Sequence, residues 1–130
     1  MPHPRQRLGK SGEDLVAERL EREGYRVLAR NVRVRYREWA IAGELDLIAL
    51  EGATLVFVEV KSVRLGGRCG PERPVLAVGA EKQRRLRRLA RAWLASGPAV
   101  RFQSLRFDVV GVSFDRDGRL AAWEHIREAF

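Results

Sequence analysis

Apolar residues along the chain switch between two periods, and the switches mark out the elements. Leu15, Val16, Ala17 and Leu20 recur at helical spacing. Ser11 stands before them as a candidate N-cap with Asp14 three positions on, and Gly24 follows as a C′ residue, so a helix is predicted between Ser11 and Gly24. Tyr25–Val32 reads as a strand. Arg33–Trp39 is either its continuation or a basic loop. Glu44–Leu50 and Leu55–Lys61 are two apolar runs separated by Glu51-Gly52-Ala53-Thr54, the pattern of a hairpin turning at Gly52-Ala53. That register pairs Glu51 with Thr54 and Leu50 with Leu55. It also sets Asp46 opposite Glu59, and Glu44 opposite Lys61.

The second half repeats the logic. Arg64–Pro74 has the Gly/Pro content of a loop. Leu86, Leu89, Ala90, Trp93 and Leu94 give Ala80–Ala95 a strong amphipathic helical pattern, stopped by Gly97-Pro98. Leu105–Phe114 is a strand, Asp115–Gly118 a turn, and Leu120–Ile126 a last strand or edge segment. The order α-β-β-β-α-β-β predicts a single α/β domain, residues 11–130, with a mixed central sheet flanked by helices. Residues 1–10 are expected to be a flexible basic tail.

Charge narrows the partner. The chain carries +8 with a pI near 10.9, from 22 Arg against 3 Lys. Such a field favours phosphate polymers, and Arg binds phosphate in bidentate fashion; the plainer reading is an Arg-rich solvated surface. No apolar run is long enough for a membrane span, and the N-terminal residues lack the apolar core of a secretory signal. Cys69 alone forms no internal disulfide, which fits a reducing cytoplasm. His3 and His125 with one Cys do not make a structural zinc site.

The hairpin holds the candidate chemistry. Directly opposed residues have Cβ atoms roughly 4.5–5.5 Å apart, so two carboxylates there repel unless a cation lies between them. Asp46 and Glu59 are suitable ligands for Mg²⁺ or Mn²⁺, with the Val60 carbonyl beside them. Lys61 shares the face of Glu59 and could orient or deprotonate an attacking water. Glu13, at the predicted start of the first helix, is either a further metal-facing carboxylate or a first-turn helix stabiliser. Glu44 is either a supporting partner of Lys61 or a simple cross-strand ion pair. The run Leu55–Val60 is apolar on both faces, as in a central buried strand, which puts the charges after it at the rim of a cleft. On the basic face of the second helix, Lys82, Gln83, Arg84, Arg85 and Arg88 are candidates for nucleic-acid contact, or simply its wet side.

Taken together, Gly12-Glu13, Arg30-Asn31, Gly43-Glu44-Leu45-Asp46-Leu47-Ile48-Ala49, Val58-Glu59-Val60-Lys61, Lys82, Arg106-Phe107-Asp108-Val109-Val110, His125-Ile126 and Ala129-Phe130 resemble the bacterial YraN-type family of uncharacterised proteins, UPF0102. That family is similar to restriction-endonuclease-like (PD-(D/E)XK) nucleases, and especially to archaeal Holliday-junction resolvases. The resemblance implies a restriction-endonuclease-like fold and a metal site at Glu13, Asp46, Glu59 and Lys61. The stretch between Asn31 and Gly43 is longer than the family pattern, and Val63 stands where the family carries Arg, with Arg64 one residue later.

The expected function is a Mg²⁺- or Mn²⁺-dependent endonuclease acting on DNA, with branched or damaged DNA of repair or recombination as the substrate class. Two alternatives stand beside it: a non-catalytic nucleic-acid-binding accessory protein of the same fold, and an RNA-processing nuclease. The resolvase resemblance also implies a homodimer, for which Trp39, Ile41 and Trp123 are either interface or core residues.

Overall fold

The computed structural model describes residues 4–64 and 78–130, with side chains of the first helix from Gly12 onward. Cys69 and all but the first residue of the expected loop Arg64–Pro74 lie outside the described residues, as do Met1–His3. Helix α1 runs Pro4–Arg22, followed by β1 Arg26–Tyr36, a 3₁₀ turn Arg37–Trp39, β2 Ile41–Glu51, β3 Thr54–Arg64, α2 Ala80–Ala95, β4 Ser104–Phe114 and β5 Leu120–Ile126. The five strands form one sheet in sequential order. β3 and β4 are parallel and the other neighbours antiparallel. A parallel pair needs a long crossover, and α2 lies within it.

The sheet is covered on both faces. On one, Val16, Ala17 and Leu20 of α1 meet Leu47, Ala49, Val56, Val58, Val110 and Val112. On the other, Leu86, Leu89 and Ala90 of α2 meet Ile48, Leu55, Phe57, Phe107 and Val109. Alternation along β3 sends Val56 and Val58 one way and Leu55 and Phe57 the other, so β3 is central and buried on both sides, as its sequence predicts.

α1 starts at Pro4, not Ser11. Ser11 is therefore an interior helical residue and no N-cap, and residues 4–10, expected as tail, continue the helix. Proline at a first helical position loses only a donor that has no intrahelical partner there. The other end follows expectation: Gly24 has φ 96°, its N–H donates to Glu21, and the Tyr25 N–H donates to Leu20 at 2.9 Å. This is the Schellman pattern that satisfies the last carbonyls of a helix.

β1 continues through Tyr36, which resolves the ambiguous Arg33–Trp39 into strand followed by the 3₁₀ turn. The hairpin register agrees at its turn, with Glu51 opposite Thr54 and Leu50 opposite Leu55. Gly52 takes φ 58°, the first loop position where a II′-type turn wants glycine.

Candidate functional site

β2 and β3 part company where the acids begin. Their ladder ends at Leu47 opposite Val58, one step short of an Asp46–Glu59 pair. Beyond it the Val60 N–H donates to Asp46 Oδ2 at 2.9 Å, so a side chain replaces the backbone partner. A strand residue aims its N–H and C=O to the same side. The Val60 carbonyl therefore also faces the gap left by β2. The partner strand is distorted at the same level: Asn31 has φ 49° and is skipped between Arg30, opposite Leu47, and Val32, opposite Leu45.

Asp46 still meets Glu59. Burial raises the Asp46 pKa to about 7 from 3.8; the Glu59 charge adds to the rise, the Val60 N–H opposes it, and Glu13 adds a further increment. Asp46 on β2 thus feels two other acids, Glu59 on β3 and, more weakly, Glu13 on α1. Gly12 lies against β3: a Cβ there would stand 2.3 Å from Ser62 Oγ, which would have to rotate away.

Glu59 is 6% exposed and carries two lysines. Lys61 Nζ lies 3.6 Å and Lys82 Nζ 3.0 Å from Glu59 Oε1. Burial lowers the Lys61 pKa, helped by the neighbouring Lys82 and opposed by Glu59. For Lys82, burial works downward, but its hydrogen bonds toward Lys61 and Glu59 outweigh it and the pKa rises. Two of the three lysines in an arginine-dominated chain therefore converge on one carboxylate. Beneath the acids a cavity of about 10 Å³ is lined by Leu45, Asp46, Phe57, Glu59, Leu86 and Phe107, space on the order of one water.

Not every expected residue arrives. Glu44 is exposed and sits opposite Arg33 of β1; on the other side of β2 the ladder with β3 stops before Glu44 could pair with Lys61. Gln83 turns inward and donates to the Val78 carbonyl at 3.1 Å. Arg84, Arg85 and Arg88 are exposed; Arg85 donates to the Ala42 carbonyl and Arg88 to that of Trp39. With Glu81 and Lys82 they line an open groove of 700 Å³. Ile41 is core, whereas Trp123 is half-buried with the Arg19 guanidinium 4.2 Å above its ring.

Among the described residues no three His, Cys, Asp or Glu side chains converge closely enough to form a metal-binding cluster. The donor set is instead a pair of neighbouring carboxylates, Asp46 and Glu59, with the Val60 carbonyl alongside. A hard divalent ion that takes one or two carboxylates and fills its shell with water and phosphate oxygens fits such a set.

A second polar cluster was unread in the sequence. Asp108 on β4 is 0% exposed. It accepts from Arg106 Nε at 3.0 Å, His125 Nε2 at 2.7 Å and the Glu128 N–H at 3.1 Å. Arg106 also donates to Glu51 at 2.8 Å and to the Tyr25 hydroxyl at 2.7 Å. Burial would raise the Asp108 pKa, but the His125 and Arg106 hydrogen bonds carry it below the usual value. A lone acid inside the apolar run Phe107–Val110 is the signal that could have found it.

Comparison with known proteins gives the family. The model of Uncharacterised protein family UPF0102 matches residues 12–112. A UPF0102 protein of Symbiobacterium thermophilum is 51% identical over 117 residues, covering 88% of both chains. Others from Geobacter metallireducens and Chlorobium chlorochromatii are 42% and 44% identical. Each covers 95% of this chain, and the matches span 91% and 90% of those proteins. The chain belongs to Uncharacterised protein family UPF0102.

Proposed function

We propose that this protein is a divalent-metal-dependent endonuclease that hydrolyses phosphodiester bonds in DNA, with branched or damaged DNA as the substrate class and a restriction-endonuclease-like fold as its frame. The observation that carries the reading is the repulsive pair. Asp46 and Glu59 lie close enough for one to push the other's pKa up, at a site joined through Lys82 to an arginine-lined groove. An arrangement that costs stability in the absence of a cation is explained by a cation.

In this reading Asp46, Glu59 and the Val60 carbonyl hold Mg²⁺ or Mn²⁺, with Glu13 facing them from α1. The ion supplies Lewis-acid stabilisation of phosphate charge and an acidified water near neutral pH. Lys61, on the face of Glu59, would orient the attacking water and offset the negative charge that develops on the phosphate. Lys82 holds Glu59 and offers a cation to the phosphate next to the scissile bond. The arginines of α2 track the backbone on either side.

Cleavage of linear, single-stranded, flap and four-way DNA, with matched RNA, in Mg²⁺ and Mn²⁺ tests the proposal. Asp46→Ala and Glu59→Ala abolish cutting, and Lys61→Ala lowers it roughly 10²–10³-fold, the scale for one charge-stabilising donor. Silence on every substrate with both metals refutes it. The Lys82–Glu59 ion pair at 3.0 Å favours one rival, a non-catalytic binder in which lysine replaces the metal. Calorimetric titration with Mn²⁺ separates them: the nuclease shows a site that Asp46→Ala removes, whereas the binder shows none.

A further inference from the structure

Trp39 lies on the surface, 45% exposed, yet it is held in place. Its ring packs against Tyr36 with centroids 4.8 Å apart and planes inclined at 58°. The 3₁₀ turn that carries it closes with Ala40 in the left-handed region at φ 48° and an Ala40 N–H bond to Arg37. Arg88 of α2 donates to the Trp39 carbonyl at 3.4 Å. Beside the ring is a cleft of 310 Å³ lined by Trp39, Ile41, Arg88 and Arg91. A fixed, exposed indole between arginines has a flat apolar surface for a π-system and cations for the phosphates beside it.

The cleft connects with the acidic site. Arg88 lines both it and the 700 Å³ groove, and Lys82 lines that groove while holding Glu59. The basic track therefore runs from Glu59 along α2 and ends at an aromatic ring. Duplex nucleic acid offers such a ring only its outer edges and backbone. An unpaired strand offers base faces, and aromatic side chains interleaved with a basic groove are how single strands are gripped.

We propose that the Trp39 cleft binds an unpaired nucleobase, so that this protein grips a single-stranded segment of nucleic acid running from the cleft toward Glu59. The inference rests on the nucleic-acid side of the proposed function and not on cleavage. A second copy of the chain is a poorer occupant, because two +8 molecules would bring arginine-ringed patches together.

Fluorescence anisotropy with a labelled oligothymidylate, and with a labelled duplex of equal length, tests this in EDTA, where no cutting can occur. Trp39→Ala weakens single-strand binding about tenfold, within the range for loss of one stacked base, and leaves the duplex affinity unchanged. Trp39→Phe keeps most of the single-strand affinity, which shows that the loss is of stacking and not of folding. Unchanged single-strand affinity in Trp39→Ala overturns the proposal, as does an equal loss on both ligands. So does a wild-type dimer in sedimentation that Trp39→Ala dissolves, since the face then belongs to a second copy. A silent cleavage panel together with the Trp39 effect sinks the nuclease and leaves the base-binding cleft standing.

Discussion

Asp108 and Glu59 stand one register step apart in the same sheet, since Asp108 is opposite Val58. They face opposite layers, and the two clusters they anchor follow opposite logic. Around Asp108, hydrogen bonds from Arg106, His125 and the Glu128 backbone surround a fully buried carboxylate and lower its pKa despite burial. Around Asp46 and Glu59, acid is packed against acid: Glu59 draws Lys61 and Lys82, while Asp46 accepts from the Val60 N–H. Its pKa climbs to about 7. The first cluster is complete: it joins Tyr25, the end of β2, β4, β5 and the C-terminal residues without needing anything from outside. The second is the less complete: half-buried Asp46 stays beside another acid with its pKa raised, the place where the proposed function would seat a cation.

The sharpest way to break this comparison is at the complete cluster. Asp108→Ala leaves Arg106, whose side chain is 15% exposed, and His125 without their shared acceptor. Breaking a buried pair from one side costs about 3–5 kcal/mol. Urea unfolding is expected to show a midpoint lowered by that amount at unchanged m-value. A loss under about 1 kcal/mol would mean that Asp108 is no keystone and that the contrast fails.

The next largest effect belongs to the incomplete cluster and has the opposite sign. In the metal-free protein the folded Asp46 titrates near 7 and the unfolded one near 3.8. Between those values the native state binds more protons than the unfolded chain. Stability therefore falls as pH rises from 4 through 7, then levels off. The full span is on the order of 4 kcal/mol at most, from about 1.4 kcal/mol per unit. Asp46→Asn removes this slope and is more stable than wild type at pH 8 in EDTA. Chemical denaturation at pH 5 and pH 8 checks both; a wild type that gains stability across that interval from this residue contradicts the assignment.

Much of this was legible before any coordinates, and the reasons are local. Ala80–Ala95 and Leu120–Ile126 have the bounds their periodicity predicts. The hairpin register follows from Gly52 and two apolar runs. Glu59 and Lys61 could be nominated as charges at the end of a doubly apolar strand and Asp46 from the hairpin register, whereas Glu13 rests on its predicted place at a helix start and on the family resemblance. What was illegible is set by distant parts of the chain. Pro4–Lys10 has no apolar stripe to announce a helix. Beyond Leu47 and Val58 the ladder gives way to one side chain accepting from Val60, so Glu44 has no pairing with Lys61. Lys82 reaches Glu59 only because the crossover returns α2 over the sheet. Asn31 and Ala40 adopt left-handed backbone with no glycine to signal it.

The smallest effect marks the boundary of the complete cluster. Glu51 meets Arg106 at 2.8 Å, but its side chain is 38% exposed, so water competes for both groups. Its pKa is lowered chiefly by the Arg106 hydrogen bond, which stabilises the fold above the usual carboxylate range and fades as acid protonates it. Exposed pairs contribute about 0–1 kcal/mol once screening and side-chain ordering are counted. Glu51→Gln keeps a hydrogen-bond acceptor for Arg106 and is expected to lower stability by less than about 1 kcal/mol at pH 7, shrinking further in high salt. Combined with Asp108→Ala it should add almost nothing, because Arg106 has by then lost its inner partner and its orientation toward Glu51. A double-mutant cycle reads this directly: full additivity would mean that Arg106 serves two independent contacts, and the cluster would cease to be one unit.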